Sequence, residues 1–144
     1  MRVLFDSSVL VPALVESHPD HEEALRALQD ARDGAVQGFA TTHAMAETWG
    51  SVTGLRLDPP LRGSEVLASI RELLLGTIEA VPLSEEDYLA ALESVSGLGL
   101  GSGVIFDALH IQAARRVKAD LILTCDPRDF LRVAPDLADR IRRP

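Results

Sequence analysis

Residues 2–6, RVLFD, form a short apolar run that ends on an acidic residue. Such a run predicts a buried β-strand. Similar short runs occur at residues 35–40, 77–81 and 120–124, and stretches with helical spacing lie between them. Strands that alternate with helices indicate a mostly parallel sheet with helices on both faces. We therefore predict one α/β domain over residues 1–144 with a sheet of four to five strands, since the C-terminal tail is ambiguous.

Length and cysteine content limit the class of protein. A chain of 144 residues suits one domain with a full hydrophobic core. Cys125 is the only cysteine, so an intrachain disulfide is impossible and a reducing, cytoplasmic location is expected. The apolar run at the N-terminus is too short for a signal peptide or a membrane span, so we expect no membrane association.

The charge of the chain is negative and uneven. A formal net charge of −8 argues against a general nucleic-acid coat protein, since such proteins carry basic faces. Residues 1–103 hold 6 Lys and Arg and 16 Asp and Glu, a balance of −10, whereas residues 104–144 hold 8 and 6, a balance of +2. Contacts with phosphate are therefore expected in the C-terminal third.

Three arginines of this C-terminal third are candidates for phosphate contacts. They are Arg128, Arg115 and Arg116, and the fork of an arginine side chain fits phosphate oxygens. The simpler alternative for each is a solvated surface residue. With one Trp, one Tyr and four Phe in the chain, no aromatic platform for unpaired bases is visible.

Two acidic residues lie where predicted strands end. Asp6 closes the first strand and Asp126 follows the fourth. In sheets of this kind, ligands bind at the carboxyl ends of the strands. The alternative for Asp6 is the N-cap of the next helix, a position that Asp often occupies. Both roles remain open for Asp6.

Two more acidic residues lie in apolar helices. Glu47 follows the predicted cap Thr42 among small or apolar neighbours, and Asp107 lies in VIFDALHI, residues 104–111. A carboxylate in such surroundings costs several kcal/mol unless something compensates its charge. No Lys or Arg lies within four residues of Asp107. The alternatives are a solvated helix face for Glu47 and a first-turn acid favoured by the helix dipole for Asp107.

These four acids lie on separate elements that an α/β fold can bring together. Oxygen ligands suit Mg²⁺ or Mn²⁺, and the absence of Cys and His at ligand spacing argues against zinc. A hard cation held by acids suits phosphoryl transfer, because it orients and activates a water and neutralises the charge that develops on phosphate.

The four acids lie in segments that resemble the motifs of the PIN-domain nucleases, and most closely those of VapC-type toxins. The segments are VLFDSSVL (residues 3–10), THAMAE (42–47), FDALHIQAA (106–114) and LTCDPRDF (123–130). They follow the family's order over nearly the full length of the chain. Each segment alone is a weak signal, whereas all four in order are a strong one.

The resemblance implies a three-layer PIN-like fold and an endoribonuclease that depends on Mg²⁺ or Mn²⁺. In such an enzyme Asp6, Glu47 and Asp107 bind the metal and Asp126 is the fourth acid of the metal site. Ser8 orients the Asp6 carboxylate.

Asp129 is an alternative fourth acid, because similar sequences carry acids at both places. Thr124, at the end of the fourth predicted strand, could position a water or cap the turn. His43 and His110 share helix faces with Glu47 and Asp107, and a structural role is the simpler interpretation of both.

The resemblance also implies partners. The expected substrate is a structured RNA such as tRNA, messenger RNA or ribosomal RNA. A homodimer and inhibition by a small VapB-type antitoxin are expected as well.

Two other functions fit parts of the sequence. A phosphatase could use Asp6 as its nucleophile. Haloacid-dehalogenase-like sites require a second Asp two residues later, however, where this chain has Ser8. Receiver-like domains require a Lys late in the sheet, and the only lysine, Lys118, precedes the fourth predicted strand. A non-catalytic binding module of the same fold is the other alternative, although the presence of all four acids favours an enzyme.

Overall fold

A sheet of five parallel strands forms the centre of the computed structural model, which describes residues 1–144 apart from the side chain of Leu73. The strand order is β3-β2-β1-β4-β5. The strands are β1 (Arg2–Phe5), β2 (Gln37–Thr41), β3 (Glu79–Val81), β4 (Leu121–Leu123) and β5 (Ile141–Arg142). The predicted parallel α/β sheet is confirmed, and the ambiguous tail supplies the fifth strand by pairing with β4.

Seven α-helices connect and cover the strands in the described part of the chain. They are α1 (Ser7–Leu14), α2 (His21–Arg32), α3 (Thr42–Gly54), α4 (Gly63–Ser69), α5 (Glu85–Gly97), α6 (Val104–Arg116) and α7 (Pro127–Val133). A π-helical segment, Ile70–Leu74, continues α4, and a 3₁₀ helix, Pro135–Arg140, precedes β5. Among the described residues, no helix has the length and apolar character needed to cross a membrane.

The central strand β1 contributes to the hydrophobic core on both faces of the sheet. Successive side chains of a strand point to opposite faces. Leu4 packs in a buried cluster with residues of α5, α6 and α7, whereas Val3 and Phe5 pack in a second cluster with residues of α1 to α4. Burial of each such side chain contributes about 1.5–3 kcal/mol. The result is the three-layer arrangement that the alternating pattern predicts.

The carboxyl ends of three neighbouring strands meet at one edge of the sheet because the strands are parallel. Asp6 follows β1, Thr124 follows β4, and Thr41 is the last residue of β2. Thr41, and not Thr42 as predicted, caps α3, since its Oγ1 accepts a hydrogen bond of 2.8 Å from the backbone N–H of Ala44. The strand therefore extends one residue further than expected and leaves a buried hydroxyl at this edge.

Candidate active site

The Asp6 carboxylate is buried at the end of β1 and is held by hydroxyl groups. Its Oδ2 accepts hydrogen bonds from Ser8 Oγ at 2.5 Å and from Thr124 Oγ1 at 2.9 Å. Asp6 occupies the N-cap position of α1, but its side chain makes no capping hydrogen bond. Of the two roles left open by the sequence, the structure thus excludes side-chain capping.

The two hydroxyl groups that hold Asp6 are themselves fixed by backbone. Ser8 Oγ accepts from the N–H of Cys125 at 2.9 Å, and Thr124 Oγ1 accepts from the N–H of Asp126 at 3.2 Å. With these N–H groups as donors, the hydroxyl hydrogens of Ser8 and Thr124 are free to point at Asp6. Two neutral donors on one oxygen orient the carboxylate without cancelling its charge.

Glu47 reaches the same place from α3. Its Oε2 lies 3.1 Å from Nε2 of His110, and its Oε1 lies 3.9 Å from Nε2 of His43. Partial burial alone would raise the pKa of Glu47, but the hydrogen bond with His110 and the charges of the two histidines outweigh it and lower the pKa. Glu47 is therefore ionised at neutral pH.

His110 lies between Glu47 and Asp6. Its side chain is buried, and its Nε2 lies 3.1 Å from the Glu47 carboxylate and 3.4 Å from that of Asp6. Burial opposes protonation of His110, but the hydrogen bond with Glu47 and the charges of nearby carboxylates outweigh it and raise the pKa. The sequence interpretation of a structural histidine missed this contact, because its partners are distant in the chain.

Asp107 is the acid that lacks a partner. It lies half-buried in the first turn of α6, and none of the described side chains donates a hydrogen bond to it or pairs with it. Burial and the charge of Asp6, with smaller contributions from Asp129 and Glu47, raise its pKa to about 7, although the charge of His110 acts in the opposite direction. The structure therefore brings Asp6, Glu47 and Asp107 into one cluster of interacting charges, which we call the acid cluster.

The side chain of the predicted fourth acid, Asp126, pairs with an arginine and makes no described contact with the acid cluster. It is exposed at the N-cap of α7 and forms a two-pronged ion pair with Arg128, with distances of 2.9 and 2.7 Å. This pairing lowers the pKa of Asp126 to about 2. Asp129 pairs with Arg132 at 2.7 Å, yet its charge still raises the pKa of Asp107. The effect of its charge on Asp107 favours Asp129 over Asp126 as the C-terminal member of the site.

The three arginines predicted to contact phosphate all have acidic partners. Arg115 pairs with Asp136 at 2.8 Å, Arg116 contacts Asp87, and Arg128 pairs with Asp126. Arg115 and Arg116 also lie at the far end of α6 from Asp107, about 12 Å along the helix axis. The structure does not bring these two arginines to the acid cluster.

An aromatic pair that the sequence analysis missed borders the acid cluster. The rings of Phe106 and His43 stack with centroids 5.2 Å apart and an interplanar angle of 16°. Phe106 is 45% exposed although it directly precedes Asp107 on α6. The sequence shows that Phe106 precedes Asp107, but it does not show that the ring is exposed or that it stacks on His43 of another helix.

Space for a ligand lies beside the hydroxyl groups that hold Asp6. A cavity of about 390 Å³ is lined by Ser7, Ser8 and Cys125 and by residues of neighbouring elements, including His18 and Ser51. Ser7 and Ser8 directly follow Asp6, so this cavity lies beside the end of β1, although none of the three acids of the cluster lines it.

The acid cluster fits a hard divalent cation by the chemistry of its donors. Asp6, Glu47 and Asp107 offer only carboxylate oxygens, which Mg²⁺ and Mn²⁺ prefer. The carboxyl group of Asp107 is half-buried among like charges without a Lys or Arg partner, so a bound cation would stabilise its ionised form. As the side chains stand, no three His, Cys, Asp or Glu residues of the described chain are arranged to hold a metal ion. Binding by all three acids therefore requires their side chains to move from these positions.

Comparisons with known proteins agree with this architecture. No curated protein matches the chain. Among solved structures, VapC20 of Mycobacterium tuberculosis, a sarcin–ricin loop cleaving toxin, matches with a TM-score of 0.70 and 15% sequence identity over 89% of this chain and 92% of that one. VapBC2 of Rickettsia felis, bound to a DNA fragment from its promoter, matches with a TM-score of 0.65 and 16% identity, over 92% of each chain. A toxin–antitoxin complex from Klebsiella pneumoniae matches with a TM-score of 0.60 and 15% sequence identity, over 89% of each chain.

At such low sequence identities, the structural matches establish the fold. The family model of the PIN domain, in contrast, matches the sequence itself, over residues 3–135. This range includes β2 to β4, all of β1 except its first residue, and every residue of the acid cluster. The chain therefore belongs to the PIN-domain family.

Proposed function

We propose that this chain is a metal-dependent endoribonuclease of the VapC toxin type. The observation that carries the proposal is the acid cluster, in which Asp6, Glu47 and Asp107 meet at the carboxyl end of the sheet without an Arg or Lys partner. Family membership and the structural likeness to VapC20, which cleaves the sarcin–ricin loop, support the same chemistry.

The chain's own residues prepare the site for hydrolysis of a phosphodiester bond. Ser8 and Thr124 fix the Asp6 carboxylate, and His110 fixes Glu47 beside it. Asp6, Glu47 and Asp107 would hold Mg²⁺ or Mn²⁺. When bound, such a cation lowers the pKa of a water and neutralises charge on the phosphate. A cation held beside Asp107 would favour the ionised form of this carboxyl, whose pKa burial and neighbouring carboxylates raise in the metal-free protein.

The aromatic pair at the rim supports RNA as the substrate. An exposed aromatic ring beside a phosphate site can stack on a nucleobase. Phe106 offers such a ring directly beside Asp107. A phosphodiester held at the acid cluster would place its attached base near Phe106.

Arg128 is the remaining candidate for a phosphate contact among the three predicted arginines. It lies near the end of β4, one residue from Asp129, and its side chain is 84% exposed. An incoming phosphate would have to compete with Asp126 for this guanidinium. Arg115 and Arg116, at the other end of α6, are assigned to the surface instead.

We propose a VapB-type antitoxin and a second copy of this chain as partners. The VapBC2 complex and the Klebsiella toxin–antitoxin complex share the fold, which supports an antitoxin partner. The acid cluster, which has three carboxylates and no Lys or Arg partner, suits a basic segment of such an inhibitor. We also propose that the whole chain forms a single catalytic domain and that it acts in the cytoplasm.

The proposal is tested with total cellular RNA, because a selective nuclease can ignore an arbitrary oligonucleotide. Purified protein, free of antitoxin, is incubated with Mg²⁺, with Mn²⁺ or with EDTA, and new 5′ ends are sequenced. The Asp107→Asn variant removes one acid of the cluster. Asp30→Asn, at an exposed position of α2, is the matched control for the same chemical change.

We expect discrete new ends that require metal, persist in Asp30→Asn and disappear in Asp107→Asn. Folded wild-type protein that yields no new ends would indicate a non-catalytic binding module. An acyl-phosphate trapped on Asp6 would instead support the phosphatase alternative.

A further inference from the structure

The buried histidine of the acid cluster has a role that the acids alone do not explain. His110 is 1% exposed and contacts residues of three other elements. Its Nδ1 lies 3.0 Å from Thr41 Oγ1, and its Nε2 lies 3.1 Å from Glu47 and 3.4 Å from Asp6. The ring also stacks on Phe130, with an interplanar angle of 8°. Both nitrogens and one face of the imidazole are therefore held in place.

The hydrogen bonds around Thr41 assign the proton of the neutral ring. Thr41 Oγ1 already accepts the N–H of Ala44, so its own hydrogen is available for a donor bond. The carboxylates of Glu47 and Asp6 beside Nε2 can only accept, so in the neutral ring we assign the proton to Nε2, and Nδ1 then accepts from the Thr41 hydroxyl. The Nε2–H in turn faces the carboxylate oxygens of Glu47 and Asp6.

We propose that His110 is a positioning residue of the acid cluster: its Nε2–H, fixed by Thr41, holds Glu47 beside Asp6 in readiness for a divalent cation. This inference rests on the proposed function. Glu47 is on α3 and is only partly buried, and its contact with His110 at 3.1 Å is shorter than its contact with His43 at 3.9 Å. Without His110, only weaker contacts with His43 and Ser7 would hold its side chain. A donor that orients a metal-binding carboxylate typically contributes a factor of about 10–100 to metal affinity or activity.

The test measures metal binding without RNA, so it does not depend on knowing the substrate. Metal-free protein is titrated with Mn²⁺, and the free ion is followed by electron paramagnetic resonance. Three proteins are compared: wild type, His110→Leu, which keeps the volume but removes the donor, and His110→Gln, which keeps an N–H group. Asp107→Asn shows that the ion measured is the one at the acid cluster.

We expect the dissociation constant of His110→Leu to rise about 10–100-fold, and that of His110→Gln to stay nearer the wild-type value. A purely structural histidine would not be rescued by the N–H of Gln. Equal affinity in wild type and His110→Leu would overturn the proposal. Tighter binding in His110→Leu would also overturn it, because the imidazole would then be a cation that competes with the metal.

A second measurement keeps the inference testable if His110→Leu does not fold or if wild type binds no Mn²⁺. Long-range ¹H–¹⁵N correlation spectra of the metal-free wild type, recorded above the pKa of the ring, report which nitrogen of His110 is protonated. We expect the Nε2–H form, retained in Thr41→Ser and weakened in Thr41→Val. The Nδ1–H form in wild type would contradict the role of His110. Absence of Mn²⁺ binding together with the Nε2–H form would instead contradict the proposed metal-dependent function and leave the role of His110 in holding Glu47 intact.

Discussion

The acids of the cluster and the acids of the C-terminal surface differ in their partners. Asp129 stands between the two groups, because it pairs with Arg132 while its charge still raises the pKa of Asp107. Asp126 and Asp136 each form an ion pair with an arginine. Asp6, by contrast, is held by the neutral hydroxyls of Ser8 and Thr124, and Asp107 has no partner among the described side chains. An arginine satisfies a carboxylate and removes its need for another cation. The comparison therefore separates acids that are available to a metal from acids that are not.

The largest expected effect comes from substituting acids of the two groups and measuring RNA cleavage. Asp107→Asn should lower the cleavage rate by about 10²–10⁴-fold, the range for loss of one catalytic group. Asp126→Asn should change it less than about 2-fold, since this residue is an exposed surface residue. The loss of cleavage rate in Asp129→Asn should be intermediate, at about 10-fold, because the charge of Asp129 acts on Asp107.

Rates of cleavage at a mapped site, measured for the three variants side by side, check this order. A loss in Asp126→Asn as large as that in Asp107→Asn would break the comparison. It would mean that the ion pair with Arg128 opens when substrate binds.

A smaller effect is expected at the aromatic rim. Stacking of one base on an aromatic side chain contributes about 1–3 kcal/mol, so Phe106→Leu should raise KM about 5–150-fold. Phe106→Tyr should retain most of the affinity, because it keeps the ring. The measurement is the KM for cleavage of the mapped RNA, with the melting temperature of each variant as a control. Equal KM values for wild type and Phe106→Leu would show that Phe106 does not contact RNA.

The smallest expected effect is on the stability of the metal-free protein. Folding raises the pKa of Asp107 from 3.8 to about 7, so the folded state holds this proton more tightly than the unfolded state. This shift lowers the free energy of unfolding. The loss is absent below pH 3.8, grows as the pH rises to about 7, and stays constant above that pH. Because the side chain is only half-buried, solvent screening reduces the cost to about 1–2 kcal/mol.

Asp107→Asn should therefore be more stable than metal-free wild type by that amount at pH 8, and the two should converge near pH 4. Urea unfolding at both pH values, in EDTA, measures the difference. Asp30→Asn provides the control for an exposed carboxylate. A variant less stable than wild type at pH 8 would mean that Asp107 has a favourable partner in the folded state.

The sequence predicted the elements whose signals are local. β1 and β4 are short apolar runs bounded by polar residues, and their ends locate Asp6 and Thr124 at one edge of the sheet. β5 could not be predicted, because it is two residues long and gains its strand conformation only by pairing with β4. The cap of α3 was placed one residue late, since Thr41 and Thr42 are chemically alike and only the hydrogen bond to Ala44 distinguishes them.

The site was predictable where an acid conflicts with its surroundings, as Asp107 does in its apolar helix. Contacts between distant residues were not predictable. His110 lies 63 residues from Glu47 along the chain, and no local pattern links the two. The exposed ion pair of Asp126 was not predictable either. It depends on the direction in which the chain leaves β4 to begin α7, and the sequence does not show that direction.

The measurement that tests the acid cluster most directly is the thermal shift produced by Mn²⁺ in wild type, Asp107→Asn and Asp126→Asn. A ligand at 100 times its dissociation constant stabilises a folded protein by about 2.7 kcal/mol, which corresponds to roughly 5–10 °C for a chain of this size. We predict this rise for wild type and for Asp126→Asn, and little or none for Asp107→Asn. No rise in wild type, or an equal rise in Asp107→Asn, would contradict the assignment of the acid cluster as the metal site.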